Sequence, residues 1–90
     1  MRIVRQANSF KKDLKKVLKR SKNLDKLFFI VEKLACNIDL EPRHRPHKLI
    51  GNYSDKMECH IEPDWLLIYK LTSTEVILAR TGTHADLFNQ

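Results

Sequence analysis

The apolar residues of this chain keep a helical period up to about residue 38 and then abandon it, which confines the fold to helices followed by a sheet. Phe10, Leu14, Val17 and Leu18 recur at helical spacing among Lys11, Lys12, Lys15, Lys16, Lys19 and Arg20, describing an amphipathic helix with a strongly basic outer face. Asn8 or Ser9 can cap it, since either side-chain oxygen accepts from an unpaired amide of the first turn. A second helix begins near Asn23 and aligns Leu24, Leu27, Phe28, Val31, Leu34, Ala35 and Ile38, a stripe widened by Phe29 and Ile30. The Arg-Ser-Lys-Asn link between the two predicts an antiparallel helical hairpin. Ahead of both, Ile3 and Val4 among charges fit a short opening strand.

From Asp39 to Asn52 the chain carries Pro42, Pro46 and Gly51 among Arg43, His44, Arg45, His47 and Lys48, and reads as a loop, because proline opposes both helix continuation and a central strand. Three β segments follow, at Tyr53 to Ile61, Asp64 to Leu71 and Glu75 to Thr81. The middle one is apolar on both faces, as a central strand covered by helices on one side requires. Leu71-Thr-Ser-Thr-Glu75 suits a tight hairpin connection. The whole is one domain, residues 1–90, of the α+β class.

So short a chain buries only about 60% of the surface it exposes when unfolded, so any active site is shallow. Its net charge of +6 favours a polyanionic or acidic partner, either nucleic acid or an acidic protein. No apolar run approaches bilayer length and the first residues lack the apolar stretch of a secretion signal, so a cytoplasmic location is expected. Cys36 and Cys59 form no paired metal motif and are expected to be free and buried.

The chemistry-bearing residues gather in the second half. His60 and Asp64, four apart, share one side of a ribbon unless Pro63 introduces a bulge, and there they can share a hydrogen bond or flank one phosphate. Taken singly, His60 is an ordinary strand residue and Asp64 a turn residue. Arg80 offers a fixed fork of donors for phosphate oxygens, and the imidazole of His84 can give or take a proton. Their bland alternatives are a surface ion pair and the cap of a terminal helix. Between them, Gly82 marks a place for positive φ or close approach to a ligand. Phe88 either anchors the tail or stacks on a base, while Trp65 and Leu87 read as core. Histidines and an aspartate can also hold zinc, but neither a helical His-x-x-x-His nor a Cys-x-x-Cys is present, so no metal site or cofactor is expected.

His47-Lys-Leu-Ile-Gly51, His60-Ile-Glu-Pro-Asp64-Trp65-Leu-Leu-Ile-Tyr69 and Arg80-Thr-Gly-Thr-His84-Ala-Asp-Leu-Phe88 together resemble the RelE superfamily of toxin ribonucleases, most closely its YafQ branch, over almost the whole chain. The resemblance implies a RelE-like fold, with an N-terminal strand and a two-helix hairpin packed on a twisted, mainly antiparallel β-sheet. It places catalytic roles on His47, His60, Asp64, Arg80 and His84, and RNA contact on Phe88. Arg43, Arg45 and Lys48 would add to RNA binding, and Lys11, Lys12, Lys15, Lys16 and Lys19 to ribosome docking. Many relatives carry arginine where this chain has Met57, so a phosphate contact or ion pair is either missing or supplied from elsewhere. The implied function is a metal-independent endoribonuclease that cuts mRNA in the ribosomal A site, with Asp64 tuned by His60, or His47, as base and His84 as acid. The implied partners are the ribosome, mRNA and an acidic antitoxin whose other half binds operator DNA, with the toxin a single subunit in that complex. The related ParE-like toxins, which bind DNA gyrase, lack such a histidine cluster, and a non-catalytic RNA- or protein-binding module would not need one.

Overall fold

The computed structural model describes residues 1–51 and 54–88. Strand β1 (Ile3–Gln6) leads into helices α1 (Asn8–Lys19) and α2 (Leu24–Ala35), then a 3-10 turn (Pro42–His44) and a two-residue strand β2 (His47–Lys48). Strands β3 (Met57–Glu62), β4 (Trp65–Leu71) and β5 (Glu75–Gly82) follow, and helix α3 (His84–Phe88) ends the described chain. The sheet order is β1-β5-β4-β3-β2, with β4 at its centre as its two apolar faces require. β1 runs parallel to β5 and every other pairing is antiparallel.

One core lies under the helices, where Phe10, Val17, Leu27, Ile30 and Leu34 meet Cys59, Trp65, Leu67, Tyr69 and Leu78. The alternate residues of β4, Leu66 and Ile68, face the other way and are covered by Ala79 and Leu87, with Leu49 and Phe88 at the margin. Trp65 and Leu87 are thus core, as expected, and Phe88 is half-buried against this second cluster. Trp65 donates its indole N–H to Thr81, whose hydroxyl donates to the Leu66 carbonyl, so the buried polar atoms of the central strands are satisfied. Among the described residues, no helix is long and apolar enough to cross a membrane.

Several expectations need correction. The segment Asp39 to Asn52 is not all loop, because His47 and Lys48 pair with Glu58 and Met57 and extend the sheet. The first β segment begins at Met57, after a turn, and its expected start at Tyr53 lies outside the described residues, as does Asn52. Neither Asn8 nor Ser9 caps α1: the N-cap is Ala7, without a side-chain bond. The cause is the edge of β5. Beyond Gln6, Ala7 N–H donates to the Leu78 carbonyl, the Ser9 hydroxyl to the Ala79 carbonyl, and Thr81 N–H to Asp13, so α1 continues along β5 the bonding that β1 began. Asn23 does cap α2, accepting from Asp25 N–H. The apolar stripes are narrower than expected, since Leu18, Phe28, Phe29 and Ile38 are exposed. Both cysteines are free; Cys59 is buried and Cys36 half-buried.

Candidate active site

Strand alternation puts Glu58 and His60 on the sheet face opposite the helices, beside Leu66 and Ile68. β2 then sets His47 directly across from Glu58, and the two side chains meet at 3.3 Å from Nε2 to Oε1. The same oxygen lies 3.7 Å from Nε2 of His60. The short strand missing from the sequence reading is what positions His47. Its Nδ1 donates to the Arg45 carbonyl at 2.7 Å, so both ring nitrogens face acceptors.

The register shifts between His60 and Glu62, and Asp64 falls in the turn before β4. That bulge removes the expected His60–Asp64 partnership. Asp64 instead accepts from the backbone N–H and from Nδ1 of His84, at 2.9 and 2.6 Å. These two bonds, the backbone one first, hold the exposed carboxyl below its ordinary range. Asp64 therefore meets His84 and not His60. The ring centroids of His47 and His60 are 6.2 Å apart and those of His60 and His84 5.8 Å, giving one row of three imidazoles with a carboxylate near each end.

His84 owes its place to α3. Thr83 and Asp86 form a reciprocal capping box, each side chain accepting from the other's backbone N–H at 3.1 and 3.0 Å. Asp86 is also gripped by Arg20 from the end of α1, through bonds of 2.5 and 3.0 Å, and this pairing holds its carboxyl far below the usual range. Gly82 has φ +154°, and a Cβ there would lie 2.8 Å from an Asp86 oxygen, so the approach to the box requires glycine.

Arg80 points its fork at Asp13 of α1, with Nε and Nη2 at 2.6 and 3.1 Å from the two carboxylate oxygens. Asp13 is buried, so it is the inward partner of Arg80 and no counterweight to the helix lysines. Lys11, Lys12, Lys15, Lys16 and Lys19 are all exposed and join no ion pair among the described residues. Arg43 pairs with Glu41 at 3.1 Å, while Arg45 and Lys48 are exposed. Met57 packs against the helix-side core with Lys48 as its cross-strand neighbour.

Two residues escaped the sequence reading. Glu58 could have been found from its spacing of two from His60, which puts both on one strand face. His44 is buried beneath the sheet edge, its Nδ1 donating to the His60 carbonyl at 2.7 Å, and it carried no distinguishing signal in a basic loop. Among the described residues no group of three histidine, cysteine or acidic side chains is placed to hold a metal ion.

The family model described as bacterial toxin of type II toxin–antitoxin system, YafQ, matches residues 2–89. The mRNA interferase toxin YafQ of Escherichia coli K12 is 39% identical over 88 residues, 97% of this chain and 96% of that protein. The crystal structure of the E. coli DinJ–YafQ complex superposes with a TM-score of 0.89 at 38% identity, covering 98% of this chain and 99% of its counterpart. A metal-bound toxin from Helicobacter pylori superposes with a TM-score of 0.91 at 36% identity, covering 98% and 100%.

Proposed function

This chain belongs to the YafQ family of bacterial type II toxin–antitoxin toxins, and from that premise we propose how its residues act on RNA. It is an endoribonuclease of the mRNA interferase class. Its message is cut in the ribosomal A site, in the cytoplasm, without a metal cofactor. The observation that carries this reading is the row His47–His60–His84, spaced 6.2 and 5.8 Å, with Glu58 and Asp64 as its carboxylates.

The reaction needs a base for the 2′-hydroxyl, positive charge for the phosphate as it becomes pentacoordinate, and an acid for the departing 5′-oxygen. His60 takes the 2′-hydroxyl proton on Nε2, beside Glu58, while His47, with both ring nitrogens facing acceptors, adds positive charge and holds Glu58 in place. The 2′-oxygen bonds to phosphorus, the P–O5′ bond breaks, and His84, held at Nδ1 by Asp64, donates a proton from Nε2 to O5′. The products are a 2′,3′-cyclic phosphate and a 5′-hydroxyl. Arg80 neutralises the phosphate by turning from Asp13 towards it. The exposed part of Phe88 meets a base, Arg43, Arg45 and Lys48 hold the strand, and the α1 lysines dock on ribosomal RNA.

A shallow site on so small a domain cannot by itself hold flexible RNA in line for attack, and positioning by the ribosome supplies that part of the barrier. E. coli YafQ is solved with its antitoxin DinJ, and an acidic antitoxin is the corresponding partner here, binding a single toxin subunit over its basic surface. The test is cleavage of one message, free and on purified ribosomes with an empty A site, by protein stripped of metal. Cleavage is expected on the ribosome, with a cyclic phosphate end, and far more slowly in free RNA. Equal cutting of free RNA overturns ribosome dependence. Activity lost on stripping and restored by stoichiometric zinc or copper overturns the metal-free mechanism, an outcome the H. pylori relative makes worth measuring.

A further inference from the structure

Beside His60 lies a cleft of about 420 Å³, walled by Lys26, Arg43, His44 and Arg45 as well as by His60 itself. A smaller cavity of about 100 Å³ shares Lys26, Arg43 and His44 with it and reaches Phe29. The combined space is of the size that takes small ligands. The walls carry three cations against one carboxylate, Glu62, which is held by Lys22 and Lys26 at 2.9 and 2.8 Å. Arg45 stands in the left-handed region at φ +47° and joins no ion pair among the described residues.

Two features of its lining suit a ligand. Phe29 is 48% exposed although the apolar stripe of its helix predicts burial. Lys33 Nζ lies 4.6 Å from its ring centroid and helps fix the ring in place. His44 is buried, and its Nε2 has no hydrogen-bond partner. Because the His60 carbonyl only accepts, Nδ1 of His44 carries the proton, and Nε2 of the neutral ring is a bare acceptor that calls for an N–H donor. Base edges supply such donors, aromatic faces take bases sequence-tolerantly, and arginine forks fit phosphates.

We propose that this cleft, formed by Phe29, His44, Arg43 and Arg45 beside His60, binds the nucleotide of single-stranded mRNA next to the one being cut. The base enters towards Phe29 and His44 and its phosphate rests on the two arginines. The proposal rests on the ribonuclease reading above, and it adds a subsite that His47, His60 and His84 do not provide.

The full chain, labelled with ¹⁵N, is titrated with a 2′-O-methylated RNA trinucleotide, which lacks the attacking hydroxyl. Long-range proton–nitrogen spectra should show His44 in the Nδ1–H form, and its ring signals and those of Phe29 should move saturably. Phe29→Ala should weaken the trinucleotide roughly tenfold. Arg43→Ala with Arg45→Ala should weaken it and flatten its salt dependence. On ribosomes both variants should raise KM with kcat nearly kept. Shifts confined to His47 and His84, with wild-type binding by Phe29→Ala, overturn the proposal while ribosomal cleavage by the wild type leaves the ribonuclease reading standing. Variants that cut normally but lose an acidic antitoxin peptide also overturn it, assigning the cleft to a protein partner. Trinucleotide binding in the cleft without any mRNA cleavage by the wild type supports the subsite and removes the ribonuclease reading instead.

Discussion

Strand β3 serves two unlike surfaces with alternate residues. Cys59 and Ile61 lie under the helices in a purely apolar setting, and burial pushes the Cys59 thiol up to about 12. Glu58 and His60 lie on the other face, where Glu58 is nearly as buried, at 5% exposure, yet is met by two imidazoles. A buried carboxylate costs several kcal/mol unless charge or hydrogen bonds answer it. The helix face therefore tells how the chain folds, whereas the histidine face retains polar groups that folding alone gives no reason to keep. Asp64 extends the contrast: it is exposed and merely tethers His84, while Glu58 is enclosed between its partners.

The sharpest test of that contrast is one substitution on each face. His84→Ala should lower ribosomal cleavage by about 10²–10⁴-fold, the usual worth of a positioned acid or base, with little change in melting temperature, since the exposed ring packs in neither core. Loss of stability in parallel with activity would make His84 a structural residue. Leu67→Ala should do the reverse, costing about 2–5 kcal/mol of stability while the folded fraction cuts normally. A core variant that stays folded but cuts slowly would show that the two faces are not separable.

Glu58→Gln comes next. Opposite unit charges 4 Å apart attract by about 4 kcal/mol at an effective dielectric of 20, an upper figure for this site. An amide should forfeit enough of this to slow cleavage about tenfold or more, which corresponds to about 1.4 kcal/mol of barrier. An unchanged rate would restrict Glu58 to holding β2 against β3.

A smaller effect should follow acidification. The folded Asp64 carboxyl is depressed, so its contribution to holding His84 is complete above the ordinary carboxylate value of 3.8 and is lost as pH falls through the lower folded value. The amide signal of His84 should report this titration, and Asp64→Asn should abolish it. A midpoint at or above the ordinary value would contradict the two bonds that define this end of the row. The mildest probe is alkylation at pH 8: Cys36 should react and Cys59 should remain protected until the protein unfolds, because its thiol is both covered and protonated. Early labelling of Cys59 would mean that the helix face opens readily.

Local rules were read well where they act alone. The period of three to four residues located α1 and α2, and β4 and β5 fall within a residue of their expected bounds, because side-chain alternation and turn residues act over a few positions. The same rules missed β2, which at two residues is too short to show a period. They also overestimated the apolar stripes, since the sheet and not the helix decides how wide a face is covered, and so Leu18, Phe28, Phe29 and Ile38 remain outside.

For the site, the sequence determined which groups were available: His47, His60, Asp64, Arg80 and His84, with the lysine-rich helix and a net charge of +6 to draw in a polyanion. Only the tertiary structure decided who meets whom. Arg80 lies 67 positions from Asp13 and His84 20 positions from Asp64, and both pairs depend on which edge of β5 the helix covers and on a bulge that moves one carboxylate off the His60 face. Charge–charge and hydrogen-bond energies fall off over ångströms of space, whereas sequence pattern records only distance along the chain, so neither the enclosure of Glu58 nor the orphaned nitrogen of His44 could be read before the strands were paired.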